Sequence, residues 1–501
     1  MNSNAVRVYS VQSAPDRGCT VTAEHREQVS SVAGQPQYDV VIAGGGVLGA
    51  AVAARLSRTS ARVALVEAET DLAEGASKGN AGVAVSYYGA PGTQQTQLIN
   101  ASNPGWEALT GRLDVPFRRL GGLMVALDAD EEQRLQATLQ EVHACGVRAE
   151  LLTARQVQDT EPLVSRHAVA GLLLPDEGII DPMRLTIAYA RLAAANGVAI
   201  RLGERILGIE HDGDLSAVIT SRGRLTTRFV VNAAGVEADR ISALAGGETL
   251  RTWPRKGQYV VLDRAFGEKL TKIVFSTHTP QTKGSNVVPT THGSVLLGPT
   301  ALDIADPGDR ATDPETVAWI LDNARRLVPA TADAYIMKTF AANRPAGDEP
   351  HRLRTDARQP RLLHVTDRSA GVSISPAAAE LALTLLQSAG LDARDRDGAL
   401  DALPPVPRLR TSPDPAALAA ADPLYGQVVC ACEHVTAAEI NAALAGPVAA
   451  TSADGVRKRT GAAYGRCQGS LCLAGISFLT AMSTGTGPAS VRQTARGTVG
   501  S

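Results

Sequence analysis

The chain has 501 residues, with 49 Lys and Arg against 51 Asp and Glu and a net charge of −2, which excludes the basic surplus that phosphate-backbone binding requires. Hydrophobic residues at 44% and charged residues at 20% exclude a disordered or membrane-embedded chain. Aromatic residues are only 4%, so the core is expected to be built from Ala, Val and Leu.

Residues 1–37 are polar and mixed in charge with no apolar h-region. They read as a disordered leader rather than a signal peptide. The uncharged run Val40 to Ala54 is too short and too rich in glycine to span a bilayer, so no transmembrane segment and a cytoplasmic location are expected. Residues 38–390 then alternate short Val/Leu/Ile runs with Ala-rich helical stretches. A strand over Tyr38–Ala43, a helix over Val47–Ser57 and a strand over Arg62–Val66 make a βαβ start, which implies a parallel sheet. Further strands are predicted at 120–127, 208–210, 228–232, 258–262, 295–298 and 361–366. Helices are predicted at 131–143, 183–195 and 376–388, from apolar residues recurring at helical spacing. Residues 391–427, rich in Pro, Asp, Arg and Ala, read as a linker. Residues 428–482 carry four cysteines, and 483–501 read as a disordered tail.

The strand–helix junction is Gly44-Gly45-Gly46-Val47-Leu48-Gly49, a G-x-G-x-x-G, and Glu67 ends the next strand 18 residues after Gly49. This is the arrangement that binds a dinucleotide. Gly44 allows the tight turn, Gly46 lets a pyrophosphate approach the backbone, and Gly49 lets helix and strand pack closely. Glu67 is placed to accept from ribose hydroxyls. Three later segments favour FAD over NAD. Ala76, Ser77, Asn80 and Gly82 belong to a polar, Gly-rich loop able to run beneath a flavin. Phe229 to Gly235 is an apolar strand ending in small residues. Gly371 to Pro376, with Ser373, opens a helix whose N-terminal dipole can stabilise negative charge on a reduced flavin. No second G-x-G-x-x-G marks a separate NAD domain.

Of the six cysteines, Cys19 and Cys145 stand alone. Cys430 and Cys432 form C-x-C, and Cys467 and Cys472 form C-x4-C, 35 positions after Cys432. Four thiolates can hold a 2Fe–2S cluster. The alternatives are zinc, which usually shows C-x2–4-C pairs, and unligated thiols. Gly461, Gly465 and Gly469 leave backbone N–H groups free to face the sulfurs, and Arg457, Lys458, Arg459 and Arg466 offset their charge.

From about Tyr38 to Leu473 the chain resembles the FAD subunit of anaerobic glycerol-3-phosphate dehydrogenase, and more loosely L-2-hydroxyglutarate dehydrogenases. The resemblance is carried by ASKGNAGV (76–83), PDEGIIDPMRLT (175–186), NAAG (232–235), GQYVVLD (257–263), VVPTTHGSVLLGPT (287–300) and the Gly371–Glu380 segment. The cysteine segments VVCACEHVTAAEI and VRKRTGAAYGRCQGSLC are its most specific part, and resemble the domain of bacterioferritin-associated ferredoxin. It implies an α/β fold: a Rossmann-like FAD-binding domain interleaved with a mainly β substrate domain of the D-amino-acid-oxidase type, followed by a small helical 2Fe–2S domain.

The implied function is FAD-dependent dehydrogenation of a small anionic hydroxy metabolite like glycerol 3-phosphate. Electrons pass through the cluster to an acceptor, a quinone or a partner subunit, which is compatible with peripheral membrane association. Two alternatives stand beside it: an amino or imino acid dehydrogenase or oxidase, and a flavin/iron–sulfur electron carrier or redox sensor. Arg344 sits where the family has an arginine near the substrate, and its guanidinium suits a phosphate or carboxylate. His292 sits where the family has a histidine, as a base or as a structural residue. Arg255, Lys256, Tyr87 and Tyr88 are weaker candidates for the pocket. Two residues depart from the family pattern: Val85 stands where a histidine is common, and Ala81 where serine is usual. The loss of that histidine puts the identity of the substrate in doubt.

Overall fold

The first strand, Tyr38–Ala43, buries Val40, Val41, Ile42 and Ala43 in succession, the continuous apolar run of a strand covered on both faces. In the computed structural model, which describes residues 37–278, 284–349 and 351–494, this strand lies inside an eight-stranded sheet. It pairs in parallel with Val63–Val66 on one side and Gly223–Asn232 on the other. Ala199–Arg201 and Leu362–Asp367 add parallel strands, and Ile206–Asp212 with Leu215–Thr220 adds an antiparallel hairpin. The helix Val47–Leu56 is buried along almost its whole length, because it packs between two others, Pro182–Ala195 and Gly371–Ser388. Its small face, Ala50, Ala51, Ala53 and Ala54, makes that close three-helix layer feasible.

A second sheet of nine strands is mainly antiparallel. Its longest pair is Thr252–Leu262 against Ile336–Gly347. The helix Pro314–Leu327 seals one side of it with Ile320, Ala324 and Leu327. A three-stranded antiparallel sheet pairs Val83–Ala84 and Phe117–Arg119 with Gly178–Ile180 between them. The expected α/β architecture with an interleaved β region is what the chain forms.

The leader, with Cys19, falls outside the described residues except for Gln37. Residues 391–427 run along the surface rather than free of it. Leu391 and Ala393 join the main core, Leu403 N–H donates to the Arg112 carbonyl at 2.8 Å, and Arg408 grips Asp114 with two bonds. The cysteine segment forms a short hairpin, Val428–Cys430 with Val435–Thr436, and helices Ala437–Ala443, Ala453–Thr460 and Leu473–Thr484. Part of the stretch expected as an unstructured tail is ordered, and this is a correction. The carbonyls of Arg492 and Gln493 accept from the N–H groups of Ala453 and Asp454, which begin a helix and lack intrahelical partners.

The cysteine segment is not an independent unit on a tether. Buried Lys458 reaches the first βαβ region, donating to the Leu72 carbonyl at 2.7 Å and Glu74 at 2.5 Å, and lies 2.8 Å from Asp71. Arg459 makes a two-pronged bond to Asp71, and Lys78 bonds Asp454 at 2.5 Å. Arg264 and Arg466 add ion pairs to Glu433 and Asp263.

Candidate functional site

At Gly44 the backbone has φ +111°, and a Cβ would lie 2.5 Å from the Ala233 carbonyl oxygen. A Cβ on Gly49 would lie 2.0 Å from the Gly44 carbonyl oxygen. Both glycines are therefore demanded by the packing of strand, turn and helix. Gly46 is different. A side chain there would meet only the Ser77 hydroxyl at 3.4 Å, so the protein leaves bare backbone facing open space. That space is a cavity of about 850 Å³ lined by Gly44, Gly46, Glu67, Ala76, Ser77, Asn80, Gly235, Gly371 and Ser373 among others. Gly49 and Gly82 stand behind this wall. Gly82 has φ +74°, and its missing Cβ lets the loop lie against the Ile180 carbonyl.

Glu67 accepts from the N–H of Gly45 at 2.7 Å and of Glu69 at 2.8 Å. Burial pushes its carboxyl above the ordinary value, and these two bonds oppose the shift. The Ser77 hydroxyl accepts from the Val47 N–H at 2.9 Å, tying the loop to the first turn of the first helix. Asn80 accepts from the Gly82 N–H at 2.8 Å and so shapes its own turn. Ser373 accepts from the Val85 N–H at 2.9 Å and donates to the Val83 carbonyl at 3.3 Å. It thereby joins the start of the last long helix, Gly371–Ser388, to the strand after the loop. Pro376 inside that helix leaves the Val372 carbonyl without its usual donor, and the Ser375 hydroxyl supplies one at 2.9 Å.

The same cavity is also lined by Val85, Tyr88, Arg255, Tyr259, Asn343 and Arg344. Arg344 donates from Nη2 to the Thr300 carbonyl at 2.7 Å, while its buried Nε has no partner. Arg255 is held by Asp303. Burial pushes the Tyr259 phenol up to about 12, with Arg344 acting the other way. Tyr259 stacks on Phe340 across the strand pair, with ring centroids 4.8 Å apart.

His292 is not brought to this wall. It lines a second cavity of about 270 Å³, which shares Gly75, Gly79, Asn80, Ala81 and Arg310 with the first. Its Nε2 lies 2.8 Å from Asp181 Oδ2, and its ring lies 4.7 Å from that of Tyr464 in the cysteine segment. Asp181 also caps the helix Pro182–Ala195 through the N–H groups of Met183 and Arg184. The Asp-Pro pair that starts this helix is a readable sequence signal for the cap. Asp181's contact with His292, and the presence of Tyr464 and Lys338 in the same cavity, left no local pattern to read.

Cys430 and Cys472 are buried, and Cys432 and Cys467 are half-buried. The four thiols are neighbours: Cys432 is acted on by Cys467 and by Cys430, and Cys472 by Cys430 and by Cys467. Burial works against the Cys467 thiolate, but the N–H groups of Leu471 and Gly469 face its sulfur and hold the thiol below its ordinary value. Gly465 packs so closely on Cys432 that a side chain there would lie 2.2 Å from its Cβ. Among the described residues no three of these sulfurs lie mutually within 4.8 Å. Glu248, Asp356 and His364 do gather within 4.8 Å, but His364 and Asp356 already bond each other at 2.8 Å and Glu248 holds Arg354.

The turn, the acid, the long cavity and the cysteine pairs describe a flavin oxidoreductase joined to an iron–sulfur segment. The family description "FAD dependent oxidoreductase" matches residues 39–385, and "BFD-like [2Fe-2S] binding domain" matches 428–479. The chain belongs to the FAD-dependent oxidoreductase family, with FAD and a 2Fe–2S cluster as its cofactors.

It is 31% identical over 441 residues to glycerol 3-phosphate dehydrogenase of Caloramator mitchellensis, covering 87% of this chain and 92% of that protein. It is 28% identical over 361 residues to glycerol 3-phosphate oxidase of Mycoplasma genitalium, covering 70% of this chain and 94% of that protein. Among solved structures it is similar to dithionite-reduced L-alpha-glycerophosphate oxidase from Mycoplasma pneumoniae with FAD bound. That match has a TM-score of 0.69 and 26% identity, over 74% of this chain and 99% of that one. The lining fits FAD: Gly46 leaves bare backbone for a pyrophosphate, and the carboxylate of Glu67 stands beside the same turn.

Proposed function

We propose that the chain dehydrogenates a small phosphate-bearing alcohol of the glycerol 3-phosphate type and passes the electrons to an acceptor, a quinone or a partner subunit. The observation that carries this is Arg344, a half-buried guanidinium whose buried Nε has no partner and which lines the same cavity as Glu67. The likeness to glycerol 3-phosphate dehydrogenase along 87% of the chain supports it. Bound FAD supplies the hydride acceptor and the cluster a one-electron carrier.

The residues divide the remaining work. Gly44, Gly46, Ala76, Ser77 and Gly235 give the cofactor backbone and small side chains to lie against, and Glu67 is the ribose acceptor. Asn80 and Ser373 fix the loop and helix that flank the ring system. Gly371 opens the helix whose dipole faces negative charge. Arg344 holds the substrate's anionic group, and the Thr300 carbonyl fixes its plane. Val85 is an apolar wall that takes no proton. Cys430, Cys432, Cys467 and Cys472 ligate the cluster. No helix among the described residues is long and apolar enough to cross a membrane.

The test is an anaerobic substrate screen that follows flavin absorbance. Glycerol 3-phosphate is expected to bleach the flavin, and Arg344→Met to lower kcat/KM by about 10²-fold, the scale of a lost charged hydrogen bond. Bleaching by amino or imino acids alone would replace this reading with amine oxidation. Bleaching by none would leave an electron carrier.

A further inference from the structure

The second cavity, of about 270 Å³, is walled by three parts of the chain at once. Gly79, Asn80 and Ala81 come from the loop that also lines the flavin cavity. Lys338, Phe340 and Ala342 come from the long strand Ile336–Gly347. Arg457, Tyr464 and Gln468 come from the cysteine segment. The partition between the two cavities is tight: a Cβ on Gly79 would lie 1.9 Å from the Ala342 Cβ.

Lys338 and Arg344 stand on the same face of that strand, six residues apart, about 20 Å at the usual rise. One therefore serves each cavity. The two cations differ from their neighbours in the same way. Lys78 is taken by Glu74 and Asp454, and Arg457 is taken by Asp454. Lys338 has no carboxylate within ion-pairing distance among the described residues, although it is half-buried. An ammonium group drawn out of water without a counter-charge is unfavourable. Around it the cavity mixes apolar surface (Phe340, Met183, Val261, Leu296) with the Tyr464 hydroxyl, which donates to the Met183 thioether at 3.7 Å.

We propose that this second cavity is a binding site for a small organic anion bearing a phosphate or carboxylate group, with Lys338 as its counter-charge and the Tyr464 hydroxyl as a further donor. The site is separate from the one that holds the substrate's anion at Arg344. Its occupant lies against both the flavin-side loop and the cysteine segment, where it bears on the passage of electrons between them.

Burial lowers the Lys338 pKa to about 8, with Arg457 and Lys78 adding to the shift and Asp454 opposing it. Across the cavity the charged and titratable groups are Asp181 with His292, Arg310 and Tyr464. Lys338 carries its charge below about pH 8, so anion binding weakens as pH rises through that value.

The experiment uses the FAD- and cluster-loaded chain carrying Arg344→Met, which silences the anion position of the larger cavity. Inorganic phosphate and acetate are titrated separately by calorimetry, to tell a phosphate site from a carboxylate site. One saturable equivalent of at least one anion is expected. Adding Lys338→Met, or Lys338→Gln should the first variant not retain FAD, is expected to weaken it about tenfold or more, the loss of one charge-assisted bond. Saturable binding that survives both Lys338 variants unchanged, or saturable binding of neither anion, overturns the proposal. Phosphate binding that disappears with Arg344→Met alone also overturns it, because the anion then belongs to the substrate cavity.

Discussion

His292 and Glu177 show how much a single position depends on what surrounds it. His292 matches a family histidine in sequence, yet its Nε2 is held by Asp181 at 2.8 Å and its ring lies beside Tyr464, away from the cavity where Arg344 waits. Its expected role is to fix the docking of the cysteine segment. His292→Ala is therefore expected to leave the rate of flavin bleaching by substrate within a few-fold, below the 10²–10⁴-fold typical of a lost base. A stopped-flow loss of about 10²-fold or more would restore it as the base.

Glu177 accepts from the Ser86 N–H and hydroxyl at 2.9 and 2.8 Å through Oε1, while buried Oε2 has no partner. Burial raises its pKa from 4.5 to about 7, against the bonds from Ser86 and Tyr87. The sign follows from the raised folded value. Its contribution to stability is complete below about pH 4.5 and is lost as pH rises through about 7. Glu177→Gln keeps the acceptor and removes the charge. Denaturation across that window is expected to show a stability loss in the wild type, on the order of 3 kcal/mol, that the variant lacks. Equal slopes in the two proteins would mean that the carboxyl is not held neutral.

At the scale of elements, the first strand–helix–strand unit is legible because each junction needs a particular residue. Gly49→Ala would set a methyl carbon 2.0 Å from the Gly44 carbonyl oxygen, a backbone atom that cannot swing aside. The helix Val47–Leu56 would have to move off its strand. FAD retention after gel filtration is expected to fall sharply, whereas Gly75→Ala, with nothing within 4 Å of its Cβ, is expected to retain it. Equal retention by the two variants would show that the turn tolerates the shift.

The second sheet is less legible. Short runs such as Gln258–Leu262 and Val295–Gly298 are readable as strands, but their pairing is not. The register of Thr252–Leu262 against Ile336–Gly347 is set by residues some 80 positions apart, and no local period encodes that. The same reason hides the second cavity, whose walls come from three distant stretches. In the cysteine segment the spacing singles out the four cysteines, while their gathering in one place comes only from the fold.

Across the whole molecule, the Pro- and Asp-rich stretch 391–427 suggests two units able to act apart, and the buried charges say otherwise. Lys458 is 0% exposed, and Asp71 and Glu74 are 1% and 3% exposed. Asp71 is also gripped by Arg459, and burial acts against a carboxyl that Arg459 and Lys458 nevertheless hold well below the usual range. Such a network adds little net stability over apolar packing, but removing one partner leaves charges buried without compensation. Lys458→Met deletes the cation and leaves Glu74 with Lys78 alone. The variant is expected to lose about 3–5 kcal/mol from the docking of the cysteine segment. Limited proteolysis should then cut within 391–427 while FAD stays with the larger fragment. The double change Lys458→Met, Glu74→Gln also removes a carboxylate that has lost its buried partner, while Asp71 keeps Arg459 and Lys78 keeps Asp454, and is expected to recover part of the loss. If Lys458→Met left both the denaturation midpoint and the protease pattern unchanged, the two redox parts would be joined by their apolar contacts, and the charge network would be incidental.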